Sequence, residues 1–85
     1  MTKLLSKSQI FDIIRDVIVE ELDSPSARIT PDSLFYEICH DIEMDLPAII
    51  SECESGFDIL ISDGEMERLE TIEELVETVE EKLNQ

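Results

Sequence analysis

Leu46, Ile49, Ile50, Cys53 and Phe57 recur at i, i+3, i+4, i+7 and i+11, the spacing of one apolar stripe on an α-helix. Two further stretches repeat this periodicity. Ile10, Phe11, Ile13, Ile14, Val17, Ile18 and Leu22 form adjacent stripes, which predict a wide buried face on a helix running to about Leu22 with Ser6 or Ser8 as its N-cap. Ile72, Leu75, Val76, Val79 and Leu83 share one face of a last helix, with six glutamates between Glu70 and Glu81 around it. A helix with one apolar stripe must bury it against a neighbour, so three such helices in 85 residues constrain the chain to an all-α bundle.

The remaining segments fill in that bundle. From Asp23 to Ser33 the periodicity stops, and Asp-Ser-Pro-Ser-Ala-Arg is turn chemistry before an extended Ile-Thr-Pro-Asp, a long first loop anchored by Phe35, Ile38 and Cys39. The second helix is expected to begin between Glu43 and Leu46, because Pro47 is tolerated only where a missing N–H costs no intrahelical bond. It should end near Ser55 or Gly56, where glycine suits a left-handed C-cap. Asp58 to Ile61 is the one possible β run. Ser62 with Glu65, and Thr71 with Glu74, are capping-box pairs; the first opens a short helix of a turn or two containing Met66 and Leu69. The expectation is a single domain over residues 1–85: three longer helices and one short one.

The chain carries 22 acidic and 6 basic residues, a formal net charge of −16. Binding nucleic acid through its phosphates requires clustered Lys or Arg, so that function is excluded, and a protein partner with a basic surface patch is the natural complement. Met1 to Gln9 offers only Leu4 and Leu5 as an apolar pair, no stretch approaches the length of a membrane span, and two cysteines suit a reducing compartment; the expectation is a monomeric cytoplasmic protein. Cys53 on the apolar stripe and Cys39 beside Ile38 read as small core residues. Cys39-His40-Asp41 has no oxyanion or phosphate loop to accompany it, which gives no catalytic residues and no enzyme. Asp41, Glu43, Asp45 and Glu52 imitate calcium-loop spacing. Leu46 stands where that loop needs glycine, so no metal site is assigned.

Several short segments, in order and without a gap from the first helix to the last, resemble the acyl carrier protein family. Ile29-Thr30-Pro31-Asp32-Ser33-Leu34-Phe35 is similar to that family's loop ending in a buried Phe. Phe57-Asp58 resembles the close of its second helix, Ile61-Ser62-Asp63 the opening of its third, and Leu69-Glu70-Thr71-Ile72 the entry to its fourth. The resemblance implies a small acidic helical bundle in which a Ser of an Asp-Ser-Leu triplet, at the start of the second helix, carries a 4′-phosphopantetheine arm. Here that register holds Ile42-Glu43-Met44, so Glu43 occupies the attachment position. A carboxylate has no hydroxyl to attack coenzyme A, and the implied cofactor is therefore none. An Asp-Ser-Leu does occur at Asp32-Ser33-Leu34, ten residues earlier. Ser33 is accordingly the attachment site of the alternative reading, a working acyl carrier of fatty acid or polyketide-type synthesis.

In the resembling family the exposed side of the second helix docks on basic patches of acyl-transfer and synthase enzymes. Met44, Asp45 and Glu54 match that pattern, Ser51 and Glu52 share the face by helical geometry, and Ala48 and Ser55 stand where acids are usual. The main expectation is thus an acyl-carrier-like docking module without the arm. Like charges at this density repel over about 10 Å at 0.1 M salt. The melting temperature should therefore rise with added NaCl or Mg²⁺ near neutral pH, and a thermal denaturation series over ionic strength measures it; a flat series would show that the acids are too widely spaced to repel.

Overall fold

Ser6 opens the first helix by a reciprocal exchange: its hydroxyl oxygen accepts from the Gln9 N–H at 3.2 Å, while Gln9 Oε1 accepts from the Ser6 N–H at 2.8 Å. The computed structural model describes residues 5–23 and 28–84. Within them lie α1 (Lys7–Leu22), α2 (Phe35–Ile38), α3 (Ile42–Phe57), α4 (Asp63–Glu67) and α5 (Ile72–Leu83). The all-α bundle of three longer helices is as expected, with one turn more than the sequence predicts, α2. Part of the first loop, residues 24–27, falls outside the described residues.

Every described residue of the core is apolar; no polar or charged side chain is buried with it. Ile10, Ile14 and Ile18 of α1 are fully enclosed, and α1 packs against both α5 and α3. Ile72, Leu75, Val76 and Val79 meet it from α5, and Leu46, Ile49, Ile50, Cys53 and Phe57 from α3. Each enclosed aliphatic side chain contributes roughly 1.5–3 kcal/mol to folding. The α1 stripe is narrower than expected. Ile13 is exposed and Phe11 and Val17 are half-buried, because a strict i, i+4 row suffices for the two neighbours, and the Arg15 guanidinium lies over the Phe11 ring at 5.7 Å.

The loop ahead of α2 is tied to the loop ahead of α5 by backbone alone. The Phe35 N–H donates to the Glu70 carbonyl at 2.9 Å, the Ile72 N–H to Ser33 at 3.1 Å and the Glu73 N–H to Pro31 at 2.9 Å. Leu34 and Thr71 form an isolated antiparallel bridge, and Phe35 drops fully into the core. Asp58 to Ile61 is not a strand: Asp58 is left-handed, and the segment turns back from α3 with Ile61 buried. The left-handed residue is Asp58 at φ 56°, not Gly56, because α3 runs on through Phe57 to bury that ring before it ends. Past α4, Leu69 lies outside the short helix expected to contain it and is buried in the common core.

Both predicted capping boxes form. At α5 the Thr71 hydroxyl accepts from the Glu74 N–H at 3.2 Å, and Glu74 Oε1 accepts from the Glu70 and Thr71 N–H groups at 2.8 Å each. These bonds, that to Thr71 first, hold the Glu74 carboxyl below the usual glutamate range. A depressed carboxyl stabilises the fold fully above its unfolded-state pKa and loses that contribution as pH falls through the lowered folded value. Glu74→Ala should thus cost roughly 0.5–2 kcal/mol at neutral pH, the range for a lost cap. The gap to the parent protein should narrow in acid, and urea midpoints over a pH series below neutrality would measure it.

Candidate functional site

Asp41 sets the start of α3. Its Oδ1 accepts from the Glu43 N–H at 3.2 Å, and Asp45 Oδ2 reaches back to accept from the His40 and Asp41 N–H groups at 3.0 and 3.1 Å. One carboxylate thus meets the Glu43 N–H in the first turn and the other the two N–H groups just before the helix, which begins at Ile42, earlier than the position of Pro47 suggests. Pro47 accordingly lies inside the helix, beyond its first turn. The ring has no N–H, so the Glu43 carbonyl lacks its i+4 donor. The capping at Asp41 and Asp45 offsets that lost bond.

Around this start the surface is apolar between acids. Met44 is 72% exposed and Ile42 partly so, and the Glu43 side chain is exposed. Ile42, Leu46 and Pro47 of α3 face Met66 and Leu69 across a groove of about 350 Å³, with Glu43 on one side and Glu67 on the other. The second wall, from the α4 segment, is a feature that sequence reading missed. Its only signal was an apolar Met66 and Leu69 at a spacing too short for a full amphipathic helix.

Two polar fastenings hold the α4 segment in place. Glu54 Oε2 accepts from the Ile61 N–H at 2.8 Å, and Lys82 Nζ of α5 meets Glu65 Oε2 at 3.0 Å. Glu65 also closes the α4 capping box with Ser62, at 3.0 and 3.2 Å. The Ser62 N–H, followed by Lys82, keeps its carboxyl below the ordinary range.

The residues singled out from sequence therefore divide. Met44, Ser51 and Glu52 are exposed on α3, whereas Asp45 and Glu54 are half-buried and turn their carboxylates onto backbone N–H groups. Ser33 lies elsewhere, in the loop tied to α5: its Oγ accepts from the Thr30 N–H at 2.9 Å, sits 3.2 Å from Thr30 Oγ1, and is half-buried. Only the single turn of α2 follows it, so it does not occupy the start of a long helix. Cys39 and Cys53 are free and buried in the core. Burial, with Asp45 beside Cys39, pushes that thiol up to about 11; burial, with Glu52 and Glu54, pushes Cys53 up to about 12. Both stay protonated at neutral pH, and His40, next to Cys39 in sequence, lies exposed.

The site's frame is thus a bundle of three long helices, with a capped helix start beside an apolar groove and no buried charged group among the described residues. No protein-family model matches the chain. Curated relatives do match it. An acyl carrier protein of Streptococcus pneumoniae serotype 4 is 38% identical over 73 residues, covering 86% of this chain and 95% of its own. Acyl carrier proteins of Picosynechococcus sp. and Petrotoga mobilis are 32% and 29% identical over 74 and 80 residues, covering 87% and 94% of this chain and 91% and 94% of theirs. The chain belongs to the acyl carrier protein family, whose members are carriers and not enzymes.

The division among the acids is measurable. Asp45→Ala removes an acceptor for two backbone N–H groups and should lower stability by about 0.5–2 kcal/mol. Glu52→Ala, exposed and without an internal partner among the described residues, should stay within about 0.5 kcal/mol of the parent. Urea denaturation of the two variants side by side tests this; equal losses would mean that the Asp45 contacts do not hold the helix start.

Proposed function

We propose that this member of the acyl carrier protein family works as an acidic docking module and carries no 4′-phosphopantetheine arm. The observation that supports the reading is Glu43, exposed at the capped start of α3, at the place where the family resemblance puts the attachment serine. The residues there do not fit the arm. Its attachment needs a hydroxyl nucleophile, and the side chains at this helix start, Asp41, Ile42, Glu43, Met44 and Asp45, include none. Ser33 has the hydroxyl but not the setting, being held in the loop that pairs with α5.

Docking fits the charge and the exposed face. A partner with a basic surface patch, of the acyl-transfer or synthase kind, would meet Met44, Ser51 and Glu52 on α3, with Asp45 and Glu54 shaping that face from within. Glu43 adds a negative charge at the positive end of the helix, worth about 0.3–1 kcal/mol to the helix itself. In charge it imitates part of a phosphodiester at that spot. We read the protein as a monomeric, single-domain cytoplasmic module.

Incubation with coenzyme A and a broad-specificity phosphopantetheinyl transferase, followed by intact mass, tests the proposal, with an arm-bearing carrier as positive control. The expected result is no gain of mass. A quantitative gain of one phosphopantetheine that disappears in Ser33→Ala would overturn it in favour of attachment at Ser33.

A further inference from the structure

Lys7, Arg15 and Lys82 close on carboxylates of their own fold. Arg28 does not. It lines a cavity of about 360 Å³ at the end of the first loop, together with Glu37 of α2 and His40 just ahead of α3. Arg28 and Glu37 carry opposite charges and line the same space, yet no ion pair joins them. Neither they nor His40 has a hydrogen-bond or ion-pair partner for its side chain among the described residues. The rest of the wall is largely apolar, with Ile29 buried and Leu34 and Ile38 half-buried. These groups stand on braced backbone. Phe35, fully buried, anchors the turn that carries Glu37, and the His40 N–H donates to Asp45 Oδ2 at 3.0 Å. The Thr30 N–H donates to Ser33 Oγ at 2.9 Å, which closes the loop that follows Arg28.

We propose that this cavity binds a free apolar α-amino acid, its carboxylate on Arg28 and the His40 imidazole, its ammonium on Glu37 and its side chain against Ile29, Leu34 and Ile38. A guanidinium without a partner takes a carboxylate through two parallel N–H bonds. The field of the whole chain selects a zwitterion over a simple ion. An anion approaching a net charge of −16 is repelled before it reaches Arg28, whereas a zwitterion has no net charge and gains from both local charges. A simple cation would gain at Glu37 no more than at any other exposed acid, and would meet Arg28 in the same cavity. The volume and the few convergent polar groups on an apolar wall suit a small molecule. No residue of α3 lines the cavity, so the inference goes beyond the docking reading and does not depend on it.

The test uses the full chain, L-leucine as probe and amide shift mapping at constant ionic strength. Leucine should bind with a Kd of roughly 1 mM and perturb residues within 28–40. Leucinamide lacks the carboxylate, 4-methylpentanoate the ammonium and glycine the apolar side chain; each should bind there at least about tenfold more weakly. Arg28→Gln and Glu37→Gln should each weaken leucine binding about tenfold, while Arg68→Gln, which removes an exposed cation elsewhere, should leave it unchanged. The series of four ligands on the unaltered protein is independent of any variant's folding. No perturbation of residues 28–40 at about 20 mM leucine, roughly twenty times the expected Kd, would overturn the inference. So would leucinamide or 4-methylpentanoate binding there as tightly as leucine, or equal losses in Arg28→Gln and Arg68→Gln. Any of these leaves the docking reading on α3 standing. A phosphopantetheine arm on Ser33, which also lines the cavity, would fill the space and overturn both.

Discussion

Ile10, Ile14 and Ile18 form one fully enclosed row along α1, and α3 and α5 both pack against that helix. The position of each long helix is therefore referred to α1, and the loops have to span whatever distances that packing leaves. The first long connection does so by dropping Phe35 into the core and pairing its backbone with the entry to α5. With Phe35 and Ile72 fixed together, the one turn of α2 delivers the chain to Asp41, where α3 must start. The site at that start is thus placed by packing far from it and fixed locally by the Asp41 and Asp45 carboxylates.

A wholly apolar interior also dictates where 22 acids can go. None is buried among the described residues, yet they are not equivalent on the surface. Asp41, Asp45, Glu54, Glu65 and Glu74 turn onto backbone N–H groups at helix starts and at the return from α3, where a carboxylate replaces water at donors that the helix cannot satisfy. The four at helix starts act as caps whose charge is partly offset by helix dipoles, whereas Glu54 fastens the return from the far end of α3. Glu52 and Glu67 face solvent without such offset, and Glu43 has the helix dipole but no hydrogen-bond partner among the described residues. A net charge of −16 therefore overstates what an approaching partner meets at some places and not at others, and the face around the start of α3 is one where it does not.

Much of the architecture was legible because it is written in local code. The three apolar stripes and the Ser62–Glu65 and Thr71–Glu74 pairs depend on spacings of three or four residues, and the structure keeps them, the α1 stripe narrowed to its Ile10, Ile14, Ile18 row. The start of α3 was misplaced because Pro47 suggests a first turn. Only the fold shows that Asp41 and Asp45 supply enough capping for the helix to begin earlier and carry the proline inside. The left-handed residue was assigned to Gly56 by residue type, but the need to bury Phe57 carries the helix past it to Asp58. The groove was not legible at all. Its walls come from segments about twenty residues apart in the sequence, Ile42 to Pro47 and Met66 to Leu69, and no periodicity connects them. Neither was the inward turn of Asp45 and Glu54, since exposed and capping carboxylates look alike in sequence.

Glu43 brings these strands together. Considered as part of the helix, a glutamate in the first turn needs no further explanation, because the dipole favours it by a few tenths of a kcal/mol or more. That account does not extend to Glu67, which is the last residue of α4, where the dipole disfavours a negative charge. Helix stability thus favours one carboxylate and opposes the other, although both line the same groove.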